Sequence, residues 1–91
     1  MTHLFMRHRI ANYETWRRVF DADAARRVQA GVQDVGVFRE AEDPENVLVV
    51  QKIDADVATV QAMLAGMMAD PDLAASFAEA GVLEAPEVWL S

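Results

Sequence analysis

The hydrophobic period of this chain changes from two to about 3.6 residues just after position 9, and that change constrains the fold most. Residues 3–9 fit an extended strand, in which successive side chains point to opposite faces. Directly afterwards, apolar residues recur along one helical stripe, and most of them are aromatic: Tyr13, Trp16, Phe20 and Ala24. A strand that leads into such a helix predicts a sheet with the helix packed on it.

The predicted first helix has recognisable ends. Asn12 is a favoured N-cap, because its side chain can accept a hydrogen bond from the free amides of the first turn. Gly31 stands where a helix commonly ends in a left-handed residue. We therefore predict one helix from Tyr13 to about Ala30.

Further strand and helix signals follow along the chain. Residues 32–41 alternate as a strand, residues 42–46 form a turn, and residues 47–50 are an apolar run typical of a central strand. The remaining elements are a helix capped by Asp54 or Asp56, a short helix opened by Pro71, and a strand over residues 87–91. The order strand, helix, strand, strand, helix, strand predicts a single α+β domain over residues 1–91, a four-stranded antiparallel sheet with helices on one face.

Apolar side chains occupy both faces of this sheet, although the helices cover only one. We assign Leu4, Met6, Leu48 and Val50 to the face without helices, where they would form a large apolar patch on a monomer. His8 alternates with Leu4 and Met6 and joins that face. A second copy packed against the patch would bury it, so we expect a homodimer. The alternative is a monomer whose C-terminal segment folds over this face.

Composition excludes several classes of partner. The formal net charge is −7 and Lys52 is the only lysine, which argues against a nucleic-acid partner. No apolar run approaches the ~20 residues of a membrane span, so we expect no membrane partner. The chain has no cysteine and no histidine pair with metal-ligand spacing, so we expect no metal and a cytoplasmic location.

With these elements in place, the sequence resembles the dimeric α/β-barrel superfamily, which has a ferredoxin-like fold. It is most similar to short cyclase-like proteins related to polyketide cyclases and antibiotic-biosynthesis monooxygenases. The resemblance covers nearly the whole chain and is carried by Arg7-His8 with Tyr13 and Trp16, Phe20-Asp21, Arg27 with Gly31-Val32, Asp43 to Val47, Ala80 to Val82 and Pro86 to Val88. It departs at Asp23, where similar sequences often carry a histidine.

The resemblance implies a dimeric α/β barrel with a ligand cavity between the sheet and the helices of each protomer. It also implies chemistry that needs no metal or organic cofactor, on aromatic, polycyclic or polyketide-derived substrates. We therefore expect no cofactor and a small aromatic or polyketide-like ligand.

Three ionisable side chains are candidates for catalysis: His8, Asp23 and Arg27. Histidine titrates near neutral pH, so His8 could both take and give a proton. Asp23 and Arg27 have the i, i+4 spacing of a helical ion pair, and a partly buried arginine can bind a carboxylate or enolate oxygen. The alternatives are structural: a hydrogen-bonded strand histidine, a self-satisfied ion pair, or Arg27 joining the helix to the hairpin.

Six apolar side chains are candidates for substrate binding: Tyr13, Trp16, Phe20, Phe38, Met67 and Trp89. Aromatic rings provide flat apolar walls for aromatic ligands, and methionine provides an adaptable surface. The same residues would equally serve as the core of a small domain.

The leading hypothesis is a small cofactor-independent enzyme that acts on an aromatic or polyketide-like molecule. Such a cyclase-like enzyme would fold its substrate between aromatic walls and transfer a proton. One alternative is a non-catalytic dimeric module that binds a small molecule or a partner. Another is a cofactor-free monooxygenase, whose substrate would have to form its own carbanion.

Overall fold

The computed structural model describes all residues, 1–91, and contains four strands and four helices. In chain order they are β1 (Thr2–Arg9), α1 (Tyr13–Ala22), α2 (Ala24–Gln29), β2 (Val32–Arg39), β3 (Asn46–Ile53), α3 (Val57–Met68), α4 (Pro71–Ala80) and β4 (Glu87–Leu90). The strands form one antiparallel sheet in the order β2-β3-β1-β4. The predicted α+β, ferredoxin-like order of elements is confirmed.

The sequence signals at the helix ends act as predicted. The side chains of Asn12, Asp56 and Asp70 each accept a hydrogen bond from a backbone amide in the first turn of the helix that follows. Gly31 and Gly81 have φ angles of 78° and 77°, in the left-handed region that glycine adopts without strain. These local interactions fix where the chain turns between layers.

The first helix is not continuous, contrary to the prediction of one helix from Tyr13 to Ala30. It breaks at Asp23, whose φ and ψ are −90° and 4°. In an unbroken helix the carbonyl of Phe20 would accept from the amide of Ala24. Here that carbonyl accepts hydrogen bonds from Nη1 of Arg27 at 2.8 Å and from the amide of Asp23 at 3.3 Å.

The register of the sheet corrects the predicted faces of β1. Leu4, Met6 and His8 pair with Gln51, Val49 and Val47, and all six side chains are buried beneath the helices. The face that carries them is called the inner face below. The assignment of Leu4, Met6 and His8 to the helix-free side is therefore wrong. Alternation alone groups side chains by face, but only the pairing with β3 determines which group meets the helices.

The opposite face of the sheet, called the outer face below, carries apolar side chains that no helix covers. Leu48 and Val50 lie there as predicted, half-buried between neighbouring strands. Phe5 lies opposite Val50 and stacks on Trp89 of β4, with ring centroids 5.6 Å apart. Because β4 pairs along the edge of β1, the C-terminal segment does not fold across this face.

The apolar core lies in two clusters between the inner face and the helices. One contains Ile10, Trp16, Val47, Val49 and Ala80, and the other contains Val32, Ile53 and Val60. The two clusters lie toward opposite ends of β3, so the space between them is bounded by core side chains. No helix combines the length and apolar character that crossing a membrane requires.

Candidate ligand pocket

A cavity of about 220 Å³ lies between the inner face and the helices and is called the inner cavity below. Of its 22 lining residues, 15 are hydrophobic. An apolar cavity of about 150 Å³ can hold a benzene molecule, whereas pockets for drug-sized ligands occupy about 300–1,000 Å³. The inner cavity of the single chain therefore has room for a small substituted ring and is smaller than a typical pocket for a drug-sized ligand.

His8 lies in the wall of the inner cavity between two aromatic rings. Its ring centroid is 5.9 Å from that of Trp16 and 5.5 Å from that of Phe77, which meets it nearly edge-on. The residue is only 4% exposed, and its Nδ1 atom is buried without a hydrogen-bond partner. Buried polar atoms almost always have partners, so the unpaired nitrogen makes His8 a candidate for contact with a ligand.

Burial lowers the pKa of His8 from 6.5 to about 4, because its apolar surroundings disfavour the charged imidazolium. The imidazole is therefore neutral at physiological pH. A group with so low a pKa is poorly matched to proton transfer near neutrality. It remains well suited to accept a hydrogen bond from a ligand or to donate one to it.

Arg27 has a different partner from the one predicted. Its Nε atom lies 3.1 Å from Oδ1 of Asp34 on β2, and its guanidinium lies over the ring of Phe20 at 3.7 Å. Gln51 donates a further hydrogen bond from Nε2 to the same carboxylate at 3.0 Å. The predicted Asp23–Arg27 pair is wrong; Asp23 instead lies 3.6 Å from Nη2 of Arg26. Arg27 thus joins the helix to the hairpin, as one structural alternative proposed.

The inner cavity brings together most of the predicted site residues. Six of the nine line it: His8, Trp16, Phe20, Asp23, Arg27 and Met67. Trp16 and Phe20 stack on each other with centroids 4.9 Å apart and so form one continuous aromatic wall. Six of the residues predicted for the site therefore line the same cavity.

Three predicted substrate-binding residues lie elsewhere. Tyr13 packs behind Trp16, with the guanidinium of Arg39 over its ring at 4.0 Å, and does not line the cavity. Phe38 and Trp89 lie on the outer face, 55% and 48% exposed. Contrary to the sequence interpretation, these two residues do not line the inner cavity, because strand alternation directs them away from the helices.

Two polar residues of the site were missed by the sequence interpretation: Asp34 and Gln51. Gln51 is buried in β3, where it follows the inward-facing Val47 and Val49 and precedes Ile53. A single amide within an otherwise apolar strand face was a usable signal. Asp34 carried no such signal, because its partnership with Arg27 depends on the pairing of β2 with β3. No group of three or more histidine and carboxylate side chains is arranged to hold a metal ion.

The fold is similar to several solved structures. An uncharacterised NIPSNAP domain protein from Burkholderia xenovorans is 16% identical, with a TM-score of 0.68 over 100% of this chain and 92% of that chain. A conserved protein from Methanosarcina mazei is 12% identical, with a TM-score of 0.67 over 99% of this chain and 89% of that chain. A proposed antibiotic biosynthesis monooxygenase from Nitrosomonas europaea is 8% identical, with a TM-score of 0.65 over 100% of this chain and 96% of that chain.

Sequence comparison is less informative. No model of a known protein family matches the chain, and no curated protein is similar to it in sequence. At identities below a fifth, the structural similarity establishes the ferredoxin-like fold and leaves the activity open.

Proposed function

We propose that this protein binds a small aromatic molecule in the inner cavity of each protomer. The observation that carries the proposal is a cavity of about 220 Å³, mostly apolar, whose lining includes His8, a buried imidazole with one nitrogen that has no partner. The stacked rings of Trp16 and Phe20 supply the flat wall that an aromatic ligand needs. A polyketide-like ligand would have to be a short or monocyclic one to fit this volume.

A second candidate function is cofactor-independent catalysis on the bound molecule. The structural similarity to a proposed antibiotic biosynthesis monooxygenase favours oxygenation of a substrate that forms its own carbanion. The cavity would contribute positioning and exclusion of water. A cyclase-like reaction has less support, because Arg27 is already bound to Asp34 and His8 is poorly matched to proton transfer near neutrality.

The binding proposal can be tested by NMR titration of the two indole N–H signals with small phenols. We expect the Trp16 signal to shift saturably, because this ring lines the inner cavity. The Trp89 signal is an internal control, because that indole lies on the outer face. If no phenol shifts Trp16, or both signals shift equally without saturation, the cavity is not a ligand site.

We further propose that the outer face pairs with a second copy of the chain. Phe5, Leu48 and Val50 form its half-buried centre, and the more exposed rings of Phe38 and Trp89 flank them on β2 and β4. An apolar patch of this kind on a monomer marks an interface. On the same face Arg7 forms an ion pair with Glu87, so these two charges do not oppose the approach of an identical surface. We also propose a cytoplasmic location for the protein, which is compatible with the absence of cysteine.

Replacing Leu48 by aspartate is expected to raise the dimer dissociation constant about a hundredfold or more. In a two-fold symmetric interface each copy would bury one new carboxylate, and an unpaired buried charge costs several kcal/mol. Sedimentation equilibrium over a range of concentrations measures the constant. Val28→Asp is the matched control, because Val28 is 74% exposed on α2. A wild-type chain that stays monomeric, or a Leu48→Asp dimer as tight as wild type, would contradict the assignment.

A further inference from the structure

We infer that the inner cavity selects a neutral ring that carries a hydroxyl group, hydrogen-bonded to His8, and discriminates against carboxylates of similar size. The inference rests on the proposed function, since it concerns the same cavity. It names the chemical class of ligand that the polar groups around the cavity admit.

The first argument is the state of the His8 imidazole. It lies between the rings of Trp16 and Phe77, and its Nδ1 has no hydrogen-bond partner. A neutral imidazole has one donor and one acceptor nitrogen, and a half turn about its Cβ–Cγ bond exchanges the two edges of the ring. A hydroxyl both donates and accepts, so it satisfies whichever nitrogen and tautomer the cavity presents.

The second argument is that the cations of the cavity are already neutralised. Its charged lining residues are two arginines and two aspartates: Asp23, Arg26, Arg27 and Asp70. Arg27 is held by Asp34 and by the carbonyl of Phe20, and Arg26 lies within 3.6 Å of Asp23. An incoming carboxylate would therefore have to displace an existing partner to gain a counter-charge. This reverses the expectation that Arg27 binds a substrate anion.

The third argument is distance along the sheet. His8 pairs with Val47, whereas the Arg27–Asp34–Gln51 cluster contacts β3 at Gln51, four residues further along. At about 3.3 Å per residue, the two positions are separated by about 13 Å along the strand. A ligand with a single ring cannot place one substituent at both ends. A carboxylate beside His8 would thus be buried far from Arg27.

The test compares three probes that share one ring: toluene, 4-methylphenol and 4-methylbenzoate. NMR titration of the Trp16 indole at pH 7.5 gives three dissociation constants. We expect 4-methylphenol to bind about tenfold more tightly than toluene, because it gains one buried hydrogen bond. We expect 4-methylbenzoate to bind at least tenfold more weakly than 4-methylphenol, because its charge loses water without gaining a partner.

Two variants separate the role of His8 from the shape of the cavity. His8→Phe should keep the affinity for toluene and lose the preference for 4-methylphenol, while His3→Gln, a change on the outer face, should alter neither. In wild-type protein labelled with ¹⁵N, the His8 ring nitrogens should shift with 4-methylphenol and not with toluene.

The possible failures are distinct. If none of the three probes binds, the proposed function fails and the inference falls with it. If toluene binds as tightly as 4-methylphenol, or 4-methylbenzoate binds most tightly, the cavity is a ligand site but the inference about hydroxyl selection is wrong. The same conclusion follows if His8→Phe retains the wild-type preference.

Discussion

Replacing Trp16 by alanine is expected to lower the free energy of unfolding by about 3–5 kcal/mol, the range for large aromatic residues in well-packed cores. Trp16 is 3% exposed and belongs to the cluster that joins α1 to the sheet. Its ring packs against those of Tyr13, Phe20 and His8, so replacing it by alanine removes packing contacts from three neighbouring rings. A chain of this length has a total stability of about 5–14 kcal/mol, so the loss is a large share of it.

Urea unfolding followed by circular dichroism at pH 7.5 measures this change. Trp16→Leu keeps part of the apolar volume and should lose about half as much stability as Trp16→Ala. Val28→Ala, at a position 74% exposed, should stay within about 0.5 kcal/mol of wild type. A loss below about 1 kcal/mol for Trp16→Ala would mean that the ring is a mobile wall of the cavity and not part of the core.

The elements of the fold could be predicted because their signals are local. Asn12, Asp70 and Pro71 act within one turn of the helices they open, and Gly31 and Gly81 adopt the left-handed conformation that ends a helix. None of these interactions depends on a distant part of the chain. The order of strands and helices, and from it the fold class, therefore followed from the sequence.

The side of the sheet that meets the helices could not be predicted in the same way. Leu4 and Met6 are apolar, but so is Phe5 on the opposite face, and both faces of β1 also carry polar side chains, so apolar character alone does not mark the buried side. Its orientation is settled only by pairing with β3, where Met6 lies opposite the buried Val49. His8 was assigned to the wrong face for the same reason, and its position in the wall of the inner cavity was therefore not predicted.

The partner of Arg27 illustrates a second limit. An i, i+4 spacing favours Asp23 if the helix is continuous. The helix breaks at Asp23, and the guanidinium then reaches both the carbonyl of Phe20 and the carboxylate of Asp34. A pair between a helix and a strand depends on tertiary packing, which the spacing of residues along the chain does not contain.

Acidification from pH 7 to pH 4 is expected to remove about 3 kcal/mol of stability through His8 alone. The pKa of His8 is about 4 in the folded protein, and the ordinary histidine value of 6.5 applies in the unfolded chain. Between these values the unfolded state binds more protons than the folded state, so stability is full above about pH 6.5 and falls as the pH decreases toward 4. A difference of one pKa unit corresponds to about 1.4 kcal/mol, which sets the size of the effect.

Urea unfolding at several pH values between 7 and 4, on wild type and His8→Phe, measures this contribution. Phenylalanine preserves an aromatic ring between Trp16 and Phe77 and removes the titrating group. The lowered pKa of Asp56, caused by its hydrogen bonds to Thr59, also weakens the fold in acid. It acts equally in both proteins and cancels in their difference, and His3→Gln should keep the wild-type slope. Parallel curves for wild type and His8→Phe would mean that the buried imidazole is already charged or partnered, and the selection of a neutral ligand would then lose its physical basis.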